Sequence, residues 1–101
     1  MKEKDVEKYL REQVKAAGGI AFKFVSPGND GVPDRLVCMP GGRIFFVELK
    51  APGSKTTAMQ NRQIGRLTNL GCAVYVLDSR ERIDVFIESL KRNLLMMETR
   101  Q

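Results

Sequence analysis

The sequence predicts an α/β domain in which helices pack on a mixed sheet. The apolar pattern indicates the order helix, three strands, helix, strand, helix along 101 residues. A short Pro-Gly-Gly segment joins the second and third strands, whereas a helix crosses between the third and fourth, and this combination favours a mixed sheet. The length suits one domain covering residues 1–101.

The first half of the chain is predicted to form one helix and three strands. Residues 2–17 have the periodicity of an amphipathic helix, and two glycines end it. Residues 20–25 alternate as a strand, and residues 34–39 and 43–50 are strands on either side of the loop 40–42. Segments 26–33 and 51–56 are loops by their Pro and Gly content. The positions that share an apolar face are Val6, Leu10, Val14 and Ala17 on the helix, and Ile20, Phe22 and Phe24 on the first strand, with Lys23 opposite.

The second half continues with a helix, a strand and a helix. Residues 57–70 are predicted to be helical up to Gly71, and the unbroken apolar run 73–77 is typical of a buried strand. Ser79 can cap the last helix. The predicted inward positions are Ile64, Leu67 and Leu70 on the second helix, and Ile83, Phe86, Ile87, Leu90 and Leu94 on the last.

The composition is that of a soluble basic protein. Lys and Arg number 17 against 12 Asp and Glu, so the net charge is +5 and the pI is near 9.5, which fits a nucleic-acid partner. No apolar run is long enough to cross a membrane, and the N-terminus MKEKDVEKYL has no apolar signal region. We therefore expect a cytoplasmic protein, with Cys38 and Cys72 as small reduced hydrophobic residues.

Histidine is absent from the chain. This excludes mechanisms that use an imidazole base and metal sites that use imidazole ligands. Catalysis would have to use carboxylates, lysine, hydroxyls or thiols. A metal site built from carboxylates would favour a hard cation such as Mg²⁺ or Mn²⁺.

Two carboxylates are placed where the predicted hairpin brings them together. If residues 40–42 form a three-residue loop, Asp34 pairs with Glu48, and their Cβ atoms lie roughly 5 Å apart on one face. Lys50 follows two residues later and points to the same side. Like charges directly opposite each other are destabilising, so Lys50 or a divalent cation should offset them. The alternatives are a solvated ion cluster at the sheet edge and a register slip that separates the carboxylates.

Polar side chains also interrupt the inward faces of two predicted helices. At ~100° per residue, Glu3 falls roughly 20° from Leu10 on the apolar stripe, and Glu7 falls about 60° away. A carboxylate centred on a buried stripe needs a partner, unless the helix start frays and leaves Glu3 in solvent. Gln60 continues the inward stripe of the second helix, where its amide could hold a water or a phosphate, or else reach solvent.

These residues resemble a nuclease signature. Pro33-Asp34, thirteen intervening residues and Glu48-Leu49-Lys50 resemble the PD-(D/E)xK motif. The wider sequence is similar to the virus-type replication-repair nuclease (VRR-NUC) family over about residues 3–88. The matching blocks are KFVSPGNDGVPDRLV (23–37), FFVELKAPG (45–53), Gln60 with RLTNLG (66–71), and AVYVLD (73–78).

The resemblance implies a restriction-endonuclease-like αβββαβ core and Mg²⁺- or Mn²⁺-dependent hydrolysis of phosphodiester bonds. The family's acidic pair and lysine map onto Asp34, Glu48 and Lys50, and its glutamine maps onto Gln60. Its first-helix glutamate maps best onto Glu3, with Glu7 as the competitor. Relatives of this size look like phage or prophage proteins that act in a bacterial host and are similar to Holliday junction resolvases.

Residues and resemblance together predict a structure-specific endonuclease for branched DNA. The metal would be held by Asp34, Glu48 and the Leu49 backbone carbonyl, with Glu3 acting directly or through water. Lys50 would position the attacking water, and Gln60 would support the water network. The predicted contacts to the DNA backbone are Lys23, Ser26, Arg35, Lys55, Arg62 and Arg66.

Symmetric cutting of a four-way junction needs two sites related by a two-fold axis, so we expect a homodimer. Leu94, Leu95, Met96 and Met97 form an apolar end of the last helix that could pack across the axis or complete the core of the monomer. Two other functions stay open from the sequence. One is a flap or single-strand nuclease, and the other is a DNA-binding module without catalysis.

Overall fold

The computed structural model describes residues 1–99, with side chains described for residues 1–96. It contains every predicted element in the predicted order. The bounds are α1 Glu3–Ala16, β1 Ile20–Lys23, β2 Arg35–Met39, β3 Arg43–Leu49, α2 Ala58–Asn69, β4 Val74–Leu77 and α3 Arg80–Thr99. The α/β class is therefore confirmed, and α3 is the additional C-terminal helix.

The four strands form one mixed sheet in the order β1-β2-β3-β4. The pairs β1–β2 and β2–β3 are antiparallel, and β4 runs parallel to β3. Helix α2 makes the crossover that a parallel neighbour requires. This arrangement confirms the mixed sheet expected from a helix between the third and fourth strands.

The β2–β3 hairpin has the predicted register. Met39 pairs with Arg43, and the ladder continues to Arg35 opposite Val47. Gly41 and Gly42 have φ values of 87° and 73°, a left-handed conformation that a three-residue loop requires and that glycine adopts readily. One further step along the ladder places Asp34 opposite Glu48.

The hydrophobic core lies on the face of the sheet that α1 and α3 cover. Alternate strand residues point into it, which gives β2 its pattern of buried and half-buried positions. Phe86 of α3 packs against Phe45 and Tyr75, with ring centroids 5.8 and 4.8 Å apart. The buried members are Val6, Leu10 and Val14 of α1, Val37, Met39, Val47, Leu49 and Leu77 of the sheet, and Ile83, Phe86, Ile87 and Leu90 of α3.

The opposite face of the sheet is thinly covered, and two sequence expectations about burial are wrong. Ile20, Phe22 and Ile44 are each about half exposed on it. Strand β4 is an edge strand rather than a buried one, and Leu77 is its one buried residue. Leu70 was expected to point inward but is 81% exposed, because α2 ends at Asn69 and Leu70 forms its C-cap.

Ser79 caps α3 as predicted, since its Oγ accepts a hydrogen bond from the Arg82 amide at 3.2 Å. No helix within residues 1–99 combines the length and the apolar character needed to span a membrane.

Candidate active site

The site is centred on the carboxylates of Asp34 and Glu48, where β2 begins and β3 ends. Asp34 lies one residue before β2, and its Oδ2 accepts a hydrogen bond from the Leu49 amide at 3.0 Å. Glu48 is 1% exposed, and its strand β3 is paired on both sides. Burial first, and then the neighbouring Asp34, raise the pKa of Glu48 to about 8.

Gln60 connects the start of α2 to Glu48. Its Nε2 donates to Glu48 Oε2 at 3.1 Å, and its Oε1 accepts from the Thr57 amide at 2.8 Å. The Thr57 hydroxyl accepts from the Gln60 amide at 3.1 Å, which completes a capping box. The fold therefore brings Gln60 to the carboxylates, and its direct partner is Glu48.

Lys50 follows β3 and is half-buried. Its backbone amide donates to the Leu77 carbonyl at 3.1 Å, which extends the pairing with β4. The positive charge of Lys50 acts on Glu48, where it lowers the pKa against the stronger effects of burial and of Asp34. The hairpin register and the following residue thus bring Asp34, Glu48 and Lys50 together, as the sequence predicted.

Helix α1 forms the other side of a cleft of about 220 Å³ beside Asp34. Glu3 is exposed at its mouth, and its negative charge is one of the influences that raise the pKa of Glu48. Glu7, one turn later, is paired with the guanidinium of Arg35 and lies 3.9 Å from Arg11. Both glutamates line the cleft, and Glu3 is the one whose charge acts on Glu48. The cleft is lined by Glu3, Glu7, Lys23, Phe24, Asp34, Arg35 and Leu49.

The oxygen atoms at this site fit a divalent cation. Glu48 Oε1 is buried and receives no hydrogen bond, and a buried acceptor in that state is costly unless a cation or a proton satisfies it. Among the side chains described for residues 1–96, no three Asp, Glu, His or Cys groups converge into a metal cluster. The geometry thus offers the two carboxylates of Asp34 and Glu48 as oxygen ligands.

The predicted DNA contacts fall into three groups. Lys23, Lys55 and Arg62 are exposed, and Lys23 lines the cleft. Arg66 and Ser26 form the second group, because each has a polar neighbour. Arg66 is exposed and donates to Gln63 Oε1 at 3.4 Å. Ser26 is half-buried, and its hydroxyl accepts from Asn29 at 2.9 Å. Arg35 differs from the rest, because it is 9% exposed and its guanidinium is engaged within the fold. We therefore omit Arg35 from the DNA-contacting surface.

Two contacts at the site were not predicted from the sequence. The Glu7–Arg35 pair joins residues far apart in the chain and leaves no local pattern. The capping box did have a signal, since Thr57 followed three residues later by Gln60 at a helix start is the pattern of that motif.

The mixed sheet, the helices that flank it and the carboxylates at the end of the β2–β3 hairpin define an α/β domain with a restriction-endonuclease-like fold. No family model matches the chain. A phage protein named "Putative nuclease p44", from Acyrthosiphon pisum secondary endosymbiont phage 1, is 56% identical over 81 residues, which cover 80% of this chain and 87% of that protein.

A solved structure described as "VRR_NUC domain" superposes with a TM-score of 0.80 at 38% sequence identity. The match covers 85% of this chain and 94% of the solved one. The chain belongs to the VRR-NUC family of nuclease domains, as the sequence motifs predicted.

Proposed function

We propose that this VRR-NUC chain is a metal-dependent, structure-specific DNA endonuclease that cuts branched DNA in the manner of a Holliday junction resolvase. The observation that carries the proposal is the pair of carboxylates at Asp34 and Glu48, with one buried oxygen that receives no hydrogen bond. Two adjacent carboxylates and an unpaired buried oxygen destabilise the metal-free fold, but the same oxygens can bind a cation. We place the enzyme in the cytoplasm of a bacterial host, acting as one domain.

The cation would be held by Asp34, Glu48 and the backbone carbonyl of Leu49. Mg²⁺ and Mn²⁺ prefer oxygen ligands of this kind. When bound, the cation supplies positive charge that offsets both carboxylates and stabilises negative charge on a phosphate oxygen. Binding it requires Glu48 to lose its proton, since metals bind the carboxylate form.

The side chains around the carboxylates have separate roles in this proposal. Lys50 donates a hydrogen bond that positions the attacking water, which attacks the phosphorus in line with the leaving 3′ oxygen. Gln60 holds the Glu48 carboxylate through its Nε2. Glu3 accepts hydrogen bonds from water at the mouth of the cleft.

The substrate backbone would be bound by the basic side chains that the structure leaves exposed. Lys23 borders the cleft, and Lys55, Arg62 and Arg66 are exposed on the loop before α2 and on α2 itself. The net charge of +5 supports binding to the phosphate backbone, and such binding weakens steeply as salt is added.

A homodimer would supply the two sites that symmetric cutting of a junction needs. The apolar end of α3 is a candidate for the interface, because Leu94 is half-buried while Leu95 and Met96 are 63% and 57% exposed. Met97 belongs to the same predicted surface, but its side chain lies outside the described residues. Light scattering on the protein with and without junction DNA measures the oligomeric state, and a strict monomer on DNA argues against paired cuts.

The test is cleavage of a four-way junction in Mg²⁺ or Mn²⁺ by Asp34→Ala and Lys50→Ala. Both variants should lose cleavage by at least a hundredfold, because each removes a group that contacts the reacting atoms or the cation. Asp30→Ala and Lys91→Ala are matched controls, since both side chains are exposed and charged and neither belongs to the site. Full cleavage by Asp34→Ala or Lys50→Ala refutes the assignment.

The preferred DNA structure is tested with a panel of junction, flap, nicked, linear and single-stranded DNA. Paired symmetric cuts in the junction support the resolvase. Cleavage confined to flaps or single strands favours the alternative nuclease. Binding without any metal-dependent nick, under conditions where the protein is folded, would leave a DNA-binding module.

A further inference from the structure

Arg35 occupies an unusual position directly behind the site. It follows Asp34 in the chain, it is 9% exposed, and its side chain points into the core face of the sheet. Its Nη1 donates to the Ala21 carbonyl at 3.2 Å, and its Nη2 donates to Glu7 Oε1. One guanidinium therefore joins β2, β1 and α1.

The partners of Arg35 place this contact next to both sides of the cleft. Glu7 lies one helical turn after Glu3, so the two glutamates project from the same face of α1. Arg35 is the first residue of β2 and directly follows Asp34 in the chain. The ion pair thus fixes α1 against the sheet beside the cleft that both Glu3 and Asp34 line.

The geometry of the guanidinium makes this a directional contact. Its N–H groups are held in a rigid plane, so two bonds to partners on different elements restrict the angle between those elements. Arg11 also lies near Glu7, but at 3.9 Å and with both side chains well exposed, where an ion pair has little effect. The buried partner, rather than the exposed one, sets the orientation of Glu7.

We propose that the Arg35–Glu7 pair is a positioning device that sets the placement of Glu3 relative to Asp34 and thereby tunes the affinity of the site for its divalent cation. This inference rests on the proposed function. Neither Arg35 nor Glu7 needs to touch the substrate or the cation for this role. It replaces the earlier expectations that Arg35 contacts DNA and that Glu7 competes with Glu3 for the cation.

The simpler role for the pair is to stabilise the fold, and the experiment must separate the two. Mn²⁺ binding is measured by calorimetry on the chain without DNA, and the Mn²⁺ dependence of junction cleavage is measured in parallel. Glu7→Gln should weaken Mn²⁺ binding about tenfold, which is the usual effect of removing a residue that orients a metal ligand. Arg11→Gln alters only the exposed contact of Glu7, so it should change the affinity for Mn²⁺ by less than about twofold.

The coupling between Glu7 and Glu3 is the decisive measurement. If Glu7 acts by placing Glu3, then Glu3→Gln should weaken Mn²⁺ binding in the wild-type background and add little in the Glu7→Gln background. Additive losses would overturn the proposal. So would a Glu7→Gln variant that unfolds more easily but binds Mn²⁺ as the wild type does.

A second variant covers the case in which breaking the pair prevents folding. The double replacement Glu7→Met with Arg35→Met substitutes apolar contacts for an ion pair whose arginine end is buried, and such a replacement is often neutral for stability. We expect this double variant to fold and to bind Mn²⁺ weakly. If it binds Mn²⁺ as the wild type does, the ion pair only stabilises the fold. If the wild type neither binds Mn²⁺ nor cuts DNA, the proposed function fails; if it does both and Glu7→Gln is unaltered, only the positioning role fails.

Discussion

Replacing Glu48 with glutamine should make the metal-free protein more stable, even though it should abolish cleavage. Glu48 is almost fully buried, it lies beside Asp34, and its Oε1 receives no hydrogen bond. Glutamine has nearly the same shape and no charge. It therefore removes the repulsion from Asp34 and the cost of burying an ionised group.

The size of the effect follows from the pKa of Glu48. Burial and Asp34 raise that pKa from 4.5 to about 8, and each pH unit of such a difference corresponds to about 1.4 kcal/mol. Because about half of the folded molecules keep this proton at pH 8, the raised pKa lowers the free energy of unfolding at that pH by roughly 4 kcal/mol. Allowing for relaxation around the site, we expect Glu48→Gln to add roughly 2–4 kcal/mol at pH 8, or about 10 °C or more in Tm for a domain of this size.

The gain should depend on pH in a defined direction. Below about pH 4.5 Glu48 is protonated in both the folded and the unfolded chain, so it makes no difference between wild type and variant. As the pH rises from 4.5 towards 8, the unfolded chain loses this proton while the folded chain retains it, and the wild type loses stability. The difference between the two proteins should therefore grow across that window and level off above pH 8.

The assay is urea unfolding in EDTA at pH 5 and pH 8, followed by circular dichroism. Glu88→Gln, an exposed glutamate on α3, is the matched control and should change stability by less than about 0.5 kcal/mol at either pH. Mn²⁺ at 100 times Kd should cancel most of the difference, because it stabilises the wild type by about 2.7 kcal/mol and has little effect on the variant. A Glu48→Gln variant that is no more stable than the wild type at pH 8 without metal would show that burial of Glu48 does not strain the fold.

Three further changes test other parts of the site. Inserting one glycine into the loop 40–42 should abolish cleavage while the protein stays folded by circular dichroism, because it moves Asp34 away from Glu48; an active insertion variant contradicts the register. Gly31→Ala should lower the free energy of unfolding by roughly 1–3 kcal/mol more than Gly28→Ala. Both residues have positive φ, but only at Gly31 would a Cβ lie 2.8 Å from the Met59 backbone. Equal losses for the two variants in urea unfolding would rule out that clash. Arg62→Gln should reduce the salt slope of junction binding by about 1, whereas an unchanged slope in a fluorescence anisotropy titration would remove it from the interface.

The strand pairing at the site could be predicted from the sequence because its causes are local. Alternation of apolar residues and a Pro-Gly-Gly turn determine the β2–β3 register, and that register determines that Asp34 meets Glu48. The order of the elements followed from periodicity in the same way. These short-range features alone were enough to predict the relative positions of Asp34, Glu48 and Lys50.

The features that were missed depend on packing between distant segments. Arg35 reads as a surface charge in a basic chain, and only the approach of α1 to β2 shows that Glu7 is its partner. The apolar run 73–77 is typical of a buried strand, but its burial depends on whether a fifth strand or a helix covers it. Neither fact is encoded within a window of neighbouring residues.

The amide of Gln60 has a consequence for the dynamics of the site. Its oxygen closes the first turn of α2 through Thr57, and its nitrogen holds Glu48. The amide cannot rotate without losing both bonds, because each end faces a partner of the opposite kind. Fraying of that one turn, which is among the lowest-energy openings a helix undergoes, would release Glu48 at the same moment. The backbone amide of Gln60 donates to the Thr57 hydroxyl in the same turn. Hydrogen exchange at this backbone amide would therefore report how often the carboxylates lose their arrangement, without any measurement on the carboxylates themselves.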